Sequence, residues 1–148
     1  MAVRIQPGDP FPEHLRGGVV AIGNFDGVHR GHQILLKAAE AEAQRRGCGW
    51  GVISFEPHPR TFFRPADPVF RLTPEVLKAR LIGALGGSFV ANLAFDAALA
   101  SMSPEDFVAR EIVARAGAAH VVTGYDFHFG HKRKGTPEAM KALGAAHG

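Results

Sequence analysis

Residues 18–32 read GVVAIGNFDGVHRGH, and their reading decides the fold. Residues 18–23 form a short apolar run rich in β-branched side chains, which predicts a buried strand. From about Arg30 to Arg46 the pattern turns helical. Ile34, Leu35, Ala38, Ala39 and Ala43 fall near helical spacing, with Lys37, Glu40, Glu42, Gln44 and Arg45 between them. Gly47 ends that helix, because glycine takes the left-handed conformation that closes a helix without steric cost. Strand, nine-residue loop and helix are the opening of a β-α-β unit.

The alternation continues outward from this stretch. Residues 50–55 (WGVISF) predict a second strand. Residues 57–74 hold Pro57, Pro59, Pro65, Pro68 and Pro74, which predicts a long loop, and a loop of that length in a compact domain is functional or mobile. Thr73 with Pro74 predicts the start of a helix running to about Leu85, stopped by Gly86-Gly87. Residues 89–95 (FVANLAF) predict a third strand. Residues 103–106 (SPED) open a helix to about Ala116, closed by Gly117. Residues 120–123 predict a fourth strand, followed by a glycine-rich basic loop and a short helix from about Pro137. The stretch before residue 17 carries Pro7, Pro10 and Pro12 and reads as an extended lead-in. Every predicted strand is continuously apolar, as in a parallel sheet covered on both faces. Such sheets bind ligands at the carboxyl ends of their strands near the switch point. The loops after the first, second and fourth predicted strands are therefore where to look.

Composition bounds the answer. The chain has 148 residues, 46% of them apolar and 21% charged, which predicts one globular domain and argues against disorder. With 17 Lys and Arg against 14 Asp and Glu, the excess of +3 is too small and too dispersed for a strongly basic nucleic-acid binder. The single cysteine, Cys48, rules out a disulfide framework and a cysteine-based zinc site. No apolar run approaches the roughly 18 residues of a membrane helix. The N-terminal MAVRIQPGDPFPEH lacks the apolar core of a signal peptide, so the expected compartment is the cytoplasm.

The first loop carries the clearest chemistry. His29 and His32 are three apart at a helix start, where unpaired N–H groups and the helix dipole favour an anion. Gly31 removes the side chain between them, so a phosphate can approach the backbone. Imidazoles can donate hydrogen bonds to its oxygens. A His-x-Gly-His string arises by chance about 0.05 times in a chain of this composition; its position between strand and helix adds weight. Two solvated histidines at a helix cap, or a metal-binding pair lacking a third ligand, are the alternatives. The other familiar phosphate loops, G-x-x-x-x-G-K-[ST] and G-x-G-x-x-G, are absent. In the second loop, prolines flank His58 and hold the backbone extended, and Phe62 and Phe63 offer flat faces to a planar ligand or tuck into the core. In the loop at residues 124–135, Phe127 and Phe129 alternate with Asp126 and His128. Lys132, Arg133 and Lys134 lie between glycines, either reaching a polyphosphate or solvated.

A strand leading into His-x-Gly-His resembles the nucleotidyltransferase superfamily. The longer GNFDGVHRGH resembles the FMN adenylyltransferase (FAD synthetase) module of bacterial bifunctional riboflavin kinase/FAD synthetase. Residues 55–59 are similar to that family's Phe-x-Pro-His-Pro signature, with Ser54 where the family usually shows Thr. Residues 124–135 resemble its G-x-D-F-x-F-G-x-x-R-x-G. Weaker similarity covers Arg71-Leu72-Thr73 with Lys78, Phe95-Asp96 and residues 103–107, so the resemblance spans about residues 17–140.

The resemblance implies an α/β, Rossmann-like parallel sheet of the nucleotidyltransferase type and the reaction ATP + FMN → FAD + pyrophosphate. It implies His29 and His32 as catalytic contacts to the ATP phosphates. Gly23, Asn24, Phe25, Asp26, Gly31 and Arg133 fall on the ATP side, and Phe55, Pro57, His58, Phe62, Asp126 and Phe129 on the flavin side. Mg²⁺ is implied by the ATP chemistry and by no visible ligand set. Two departures accompany these expectations. No Ser-Ser-Thr-Arg-type motif is present, since serine occurs only at 54, 88, 101 and 103. A riboflavin kinase domain is absent as well. Residues 1–148 are thus expected to form one adenylyltransferase domain, C-terminally truncated and lacking the last strand of its sheet, with an exposed edge through which copies could associate. The alternatives are a catalytically incomplete flavin- or nucleotide-binding fragment, and a nucleotidyltransferase acting on another small phosphate substrate. Neither nucleic acid nor membrane is an expected partner.

Overall fold

The computed structural model describes residues 2–23, 30–56, 66, 75–124, 130 and 135–147, the side chains of residues 30, 31, 56 and 75 excepted. The runs of Val, Ile, Phe and Trp form five strands: β1 (Val3–Ile5), β2 (Val19–Ile22), β3 (Trp50–Glu56), β4 (Phe89–Ala94) and β5 (His120–Thr123). All pair in parallel, in the order β1-β4-β3-β2-β5. Burial on both faces explains their continuous apolarity: Val19, Ala21, Val52 and Val90 face one layer of core, and Val20, Ile22, Ile53 and Ala91 the other.

Helix α1 (Arg30–Arg46) and helix α2 (Glu75–Ala84) cover the first face, with Leu36, Ala39, Ala43, Ala79 and Ile82 buried beneath them. The second face is covered by α3 (Ala97–Ala100), α4 (Pro104–Phe107) with its π-helical continuation Val108–Arg115, and α5 (Pro137–Ala146). Gly51 is required by this packing, since a Cβ there would lie 2.4 Å from the Phe89 ring.

Three elements differ from the sequence expectation. The proline-bearing lead-in contains β1, whose pairing with β4 is a tertiary event: Val3 N–H donates to Ser88 O at 3.0 Å, and Ala2 N–H to Ala79 O at 3.2 Å. The sheet therefore has five strands where four were expected. The buried stripe of α1 runs through Leu36, Ala39 and Ala43, whereas Ile34 is 67% exposed and Ala38 exposed, so the expected set of inward residues is turned partly outward. The helix expected to run to Ala116 changes its hydrogen bonding after Phe107, and Ala116 N–H donates five residues back to Glu111 O at 3.1 Å.

The end of that π-helical segment is held by the lead-in. Arg16 donates to the carbonyls of Ala114 (3.0 Å) and Arg115 (2.6 Å). Arg115 reaches back to the carbonyls of Gln6 (3.0 Å) and Asp9 (2.8 Å) and lies over the Phe11 ring. The Arg16 bonds satisfy carbonyls that a helix end leaves without partners, and the Arg115 bonds tie the lead-in to that end.

Candidate functional site

The sheet order puts the switch point between β2 and β5. From β2 the chain moves through α1 to β3 and on to β4, and then crosses to β5 on the other side of β2. Open parallel sheets take ligands at such a point, beside the segments that follow the two strands in sequence, here residues 24–29 and 125–134. Asn24, Phe25, Asp26, His29, Asp126, Phe129 and Arg133 lie outside the described residues, as do Pro57, His58 and Phe62 after β3.

The described part of the site begins at Gly23, whose N–H donates to Ile53 O at 3.1 Å and carries the β2–β3 ladder to its last rung. The chain re-enters as α1, with Gly31 and His32 in its first turn. His32 is one turn before Leu36 on the stripe that continues through Ala39 and Ala43, so its imidazole belongs to the sheet-facing side of the helix. It is half-buried, and its Nδ1 is shielded from solvent. A helix start with a glycine and an inward imidazole at a switch point is an arrangement that can hold a phosphate and stabilise charge developing on it.

Around this point the interior turns polar. On the α1/α2 face, Val52 and Val90 are followed two residues later by Ser54 and Asn92, which are level with each other across β3 and β4. Both are buried, as is Lys78 of α2, whose Nζ donates to Ser54 Oγ at 2.9 Å. The sequence reading did not single out Lys78 and Asn92 as site-forming. The signals were present: a lysine in step with Ile82 on a helix, and an asparagine inside the apolar run FVANLAF.

Phe55 points to the opposite face. It is 5% exposed and packs edge-on against Phe95, with ring centroids 5.9 Å apart, and at 6.4 Å from the Phe107 ring. Its ring belongs to the core beneath the start of the 57–74 segment. A cavity of about 540 Å³ lies on this second side, and the described residues that line it include Ser101, Ser103, Pro104, Ala139 and Leu143. Among the described residues no group of three His, Cys, Asp or Glu could hold a metal ion.

A parallel sheet covered on both faces, with a His-bearing helix start at its switch point, is an α/β fold of the nucleotidyltransferase type. Residues 11–148 match the family described as FAD synthetase. The chain belongs to the FAD synthetase family. It is 42% identical over 137 residues to a bifunctional riboflavin kinase/FMN adenylyltransferase of Pseudomonas fluorescens, covering 93% of this chain and 43% of that protein. The protein of the same description from Bacillus subtilis is 36% identical over 135 residues, covering 87% and 42%. That from Escherichia coli (strain K12) is 33% identical over 132 residues, covering 89% and 42%. The chain thus spans less than half the length of these relatives. Its fold is also similar, with a TM-score of 0.85 and 27% identity over 97% of this chain and 55% of the other, to a Streptococcus pneumoniae structure described as a macrolide-efflux protein. Among the described residues of this chain no helix is long and apolar enough to cross a membrane.

Proposed function

We propose that this chain transfers AMP from ATP to FMN, giving FAD and pyrophosphate. The observation that carries the reading is His32, held inward in the first turn of α1 immediately beyond the carboxyl end of β2. Membership of the FAD synthetase family supports ATP and FMN as the substrates.

In this reaction a phosphate oxygen of FMN attacks the α-phosphorus of ATP. The new O–P bond forms as the bond to the pyrophosphate oxygen breaks, and pyrophosphate departs with that electron pair. No protein nucleophile is needed, so the chain acts by positioning and by stabilising charge. His29 and His32 are the proposed donors to the ATP phosphates, with Gly31 allowing the phosphates to approach the first turn of α1. Gly23, Asn24, Phe25 and Asp26 are proposed to shape the ATP loop and Arg133 to meet the polyphosphate. Pro57, His58, Phe62, Asp126 and Phe129 are proposed on the flavin side, with Phe55 as the packed base from which that side rises. Mg²⁺ is proposed to arrive as the counter-ion of the polyphosphate, and the described residues do not supply a donor set for it. The proposed setting is the cytoplasm. The proposed partner is a second copy of the chain, because β5 pairs only with β2 among the described residues and its four residues are all half-buried.

The test is product formation. The purified chain with FMN, ATP and Mg²⁺ is expected to yield FAD by chromatography, and the His29→Ala/His32→Ala variant to yield none. Absence of FAD with the unaltered chain overturns the proposal. If flavin fluorescence still shifts on adding protein, the chain is a flavin-binding unit without turnover.

A further inference from the structure

Lys78 occupies a position that α2 otherwise gives to apolar side chains. It is one turn before Ile82 and next to Ala79, both fully buried, and is itself 1% exposed. Burying an amine costs free energy that a methionine of similar length would not incur. Sequences depart from such a local rule chiefly where function requires it. Its Nζ donates to Ser54 Oγ at 2.9 Å, linking α2 to the last part of β3. Ser54 is one residue past Ile53, which is the partner of Ile22 at the end of β2. The bond therefore lies in the uppermost layer of the interior, at the level where β2 gives way to the ATP loop. Two residues beyond Ser54 the strand ends at Glu56 and the chain leads into residues 57–74.

We propose that Lys78 is a positioning residue for the flavin side of the site. It acts through Ser54: the bond from α2 fixes the end of β3, and with it the point from which Pro57, His58 and Phe62 depart. Lys78 itself touches no substrate. This rests on the FMN-adenylylating reading above. It explains why a hydroxyl is buried at position 54. A serine there gives the amine an acceptor that an apolar residue would take away.

Lys78→Met and Ser54→Ala each remove the bond from one side, and Ser54→Thr keeps the hydroxyl. FMN affinity is read by flavin fluorescence, ATP affinity by calorimetry and backbone order by amide exchange. Lys78→Met and Ser54→Ala are each expected to weaken FMN about tenfold while ATP affinity stays within about twofold. The double variant is expected to be no weaker than either single one, because both cut the same link. Exchange at Ser54, Phe55 and Glu56 is expected to rise about tenfold without change in β2. Ser54→Thr is expected to match the unaltered chain. Should Lys78→Met fail to fold, the Ser54 pair decides alone. Unchanged FMN affinity in Ser54→Ala overturns the role and leaves the flavin reading standing. An equal fall in FMN and ATP affinity, or a Ser54→Thr variant that behaves like Ser54→Ala, overturns it as well. An unaltered chain that binds ATP and not FMN overturns the flavin reading and this role together.

Discussion

His32 shares a helix stripe with Leu36, Ala39 and Ala43, yet differs from them in what its removal should cost. The three apolar residues are sealed between α1 and the sheet, whereas His32 is half-buried at the helix start, where the layer opens toward the loop. Truncating it removes few packed atoms. On the proposed reaction it also removes a donor to the phosphate where charge develops, and donors of that kind are worth about 3 kcal/mol of barrier. His32→Ala is therefore expected to lower kcat about 100-fold while moving the urea midpoint little. Steady-state kinetics and denaturation on one preparation check this, and comparable losses in both would make His32 a packing residue. Lys78 shows the same separation from the other direction. It is packed as tightly as the core, with its effect expected at the site and not in stability.

At the scale of elements, the ends of helices were as legible as their middles. Ser103 was read as a helix start and Pro137 as about the start of the last helix; in the structure Ser103 Oγ accepts from Asp106 N–H at 3.1 Å, and Thr136, one residue before Pro137, accepts through Oγ1 from Ala139 N–H at 3.0 Å. Thr136→Ala is expected to cost about 1 kcal/mol, because α5 contributes Met140 to the core and its first turn has no other side-chain cap. A lowered urea midpoint with an unchanged slope would confirm it, and an unchanged midpoint would count against it. The four longer strands were legible because each is a mostly apolar run in which polar residues such as Ser54 and Asn92 stand singly. β1 was not legible: three residues carry almost no periodicity, and Pro7 close behind argues for a loop. The π-helical segment was not legible either, since its sequence suits an ordinary helix and the five-residue bonding is set by how Val108 and Ile112 dock. The motif singled out His32, and the structure places it half-buried on the inward stripe of α1. Lys78 was noted only as part of a weak family likeness; its burial was not legible, because a lone lysine is read as surface unless the helix phase is known, and the phase of α2 is set by Ala79 and Ile82 against the sheet.

At the scale of the whole molecule, the sheet is covered on both faces, and among the described residues β5 is an edge strand paired only with β2. That edge is fastened at its amino-terminal end by a charged cluster reaching from α1. Glu42 accepts from Arg45 Nε (3.2 Å) and Nη2 (2.5 Å) and from Arg46 Nε (2.8 Å). His120, the first residue of β5, brings Nδ1 to 3.8 Å from Glu42 Oε1 and 3.3 Å from Arg46 Nη2. The hydrogen bonds from Arg45, then those from Arg46, lower the Glu42 pKa from 4.5 to about 2. A carboxylate whose pKa is depressed by folding adds stability above its unfolded pKa and loses it as protonation overtakes the folded one. The contribution of Glu42 is therefore full above pH 4.5 and fades as the pH falls toward about 2. Glu42→Gln is expected to be less stable than the unaltered chain at neutral pH, by an amount that holds down to pH 4.5 and shrinks below it. Because Arg45 is largely exposed, added salt should narrow the same gap. Urea midpoints of the two proteins across that pH range test it. A gap independent of both pH and salt would mean that Glu42 fastens β5 by packing and hydrogen bonding of a neutral kind, and that its charge contributes nothing to holding the edge.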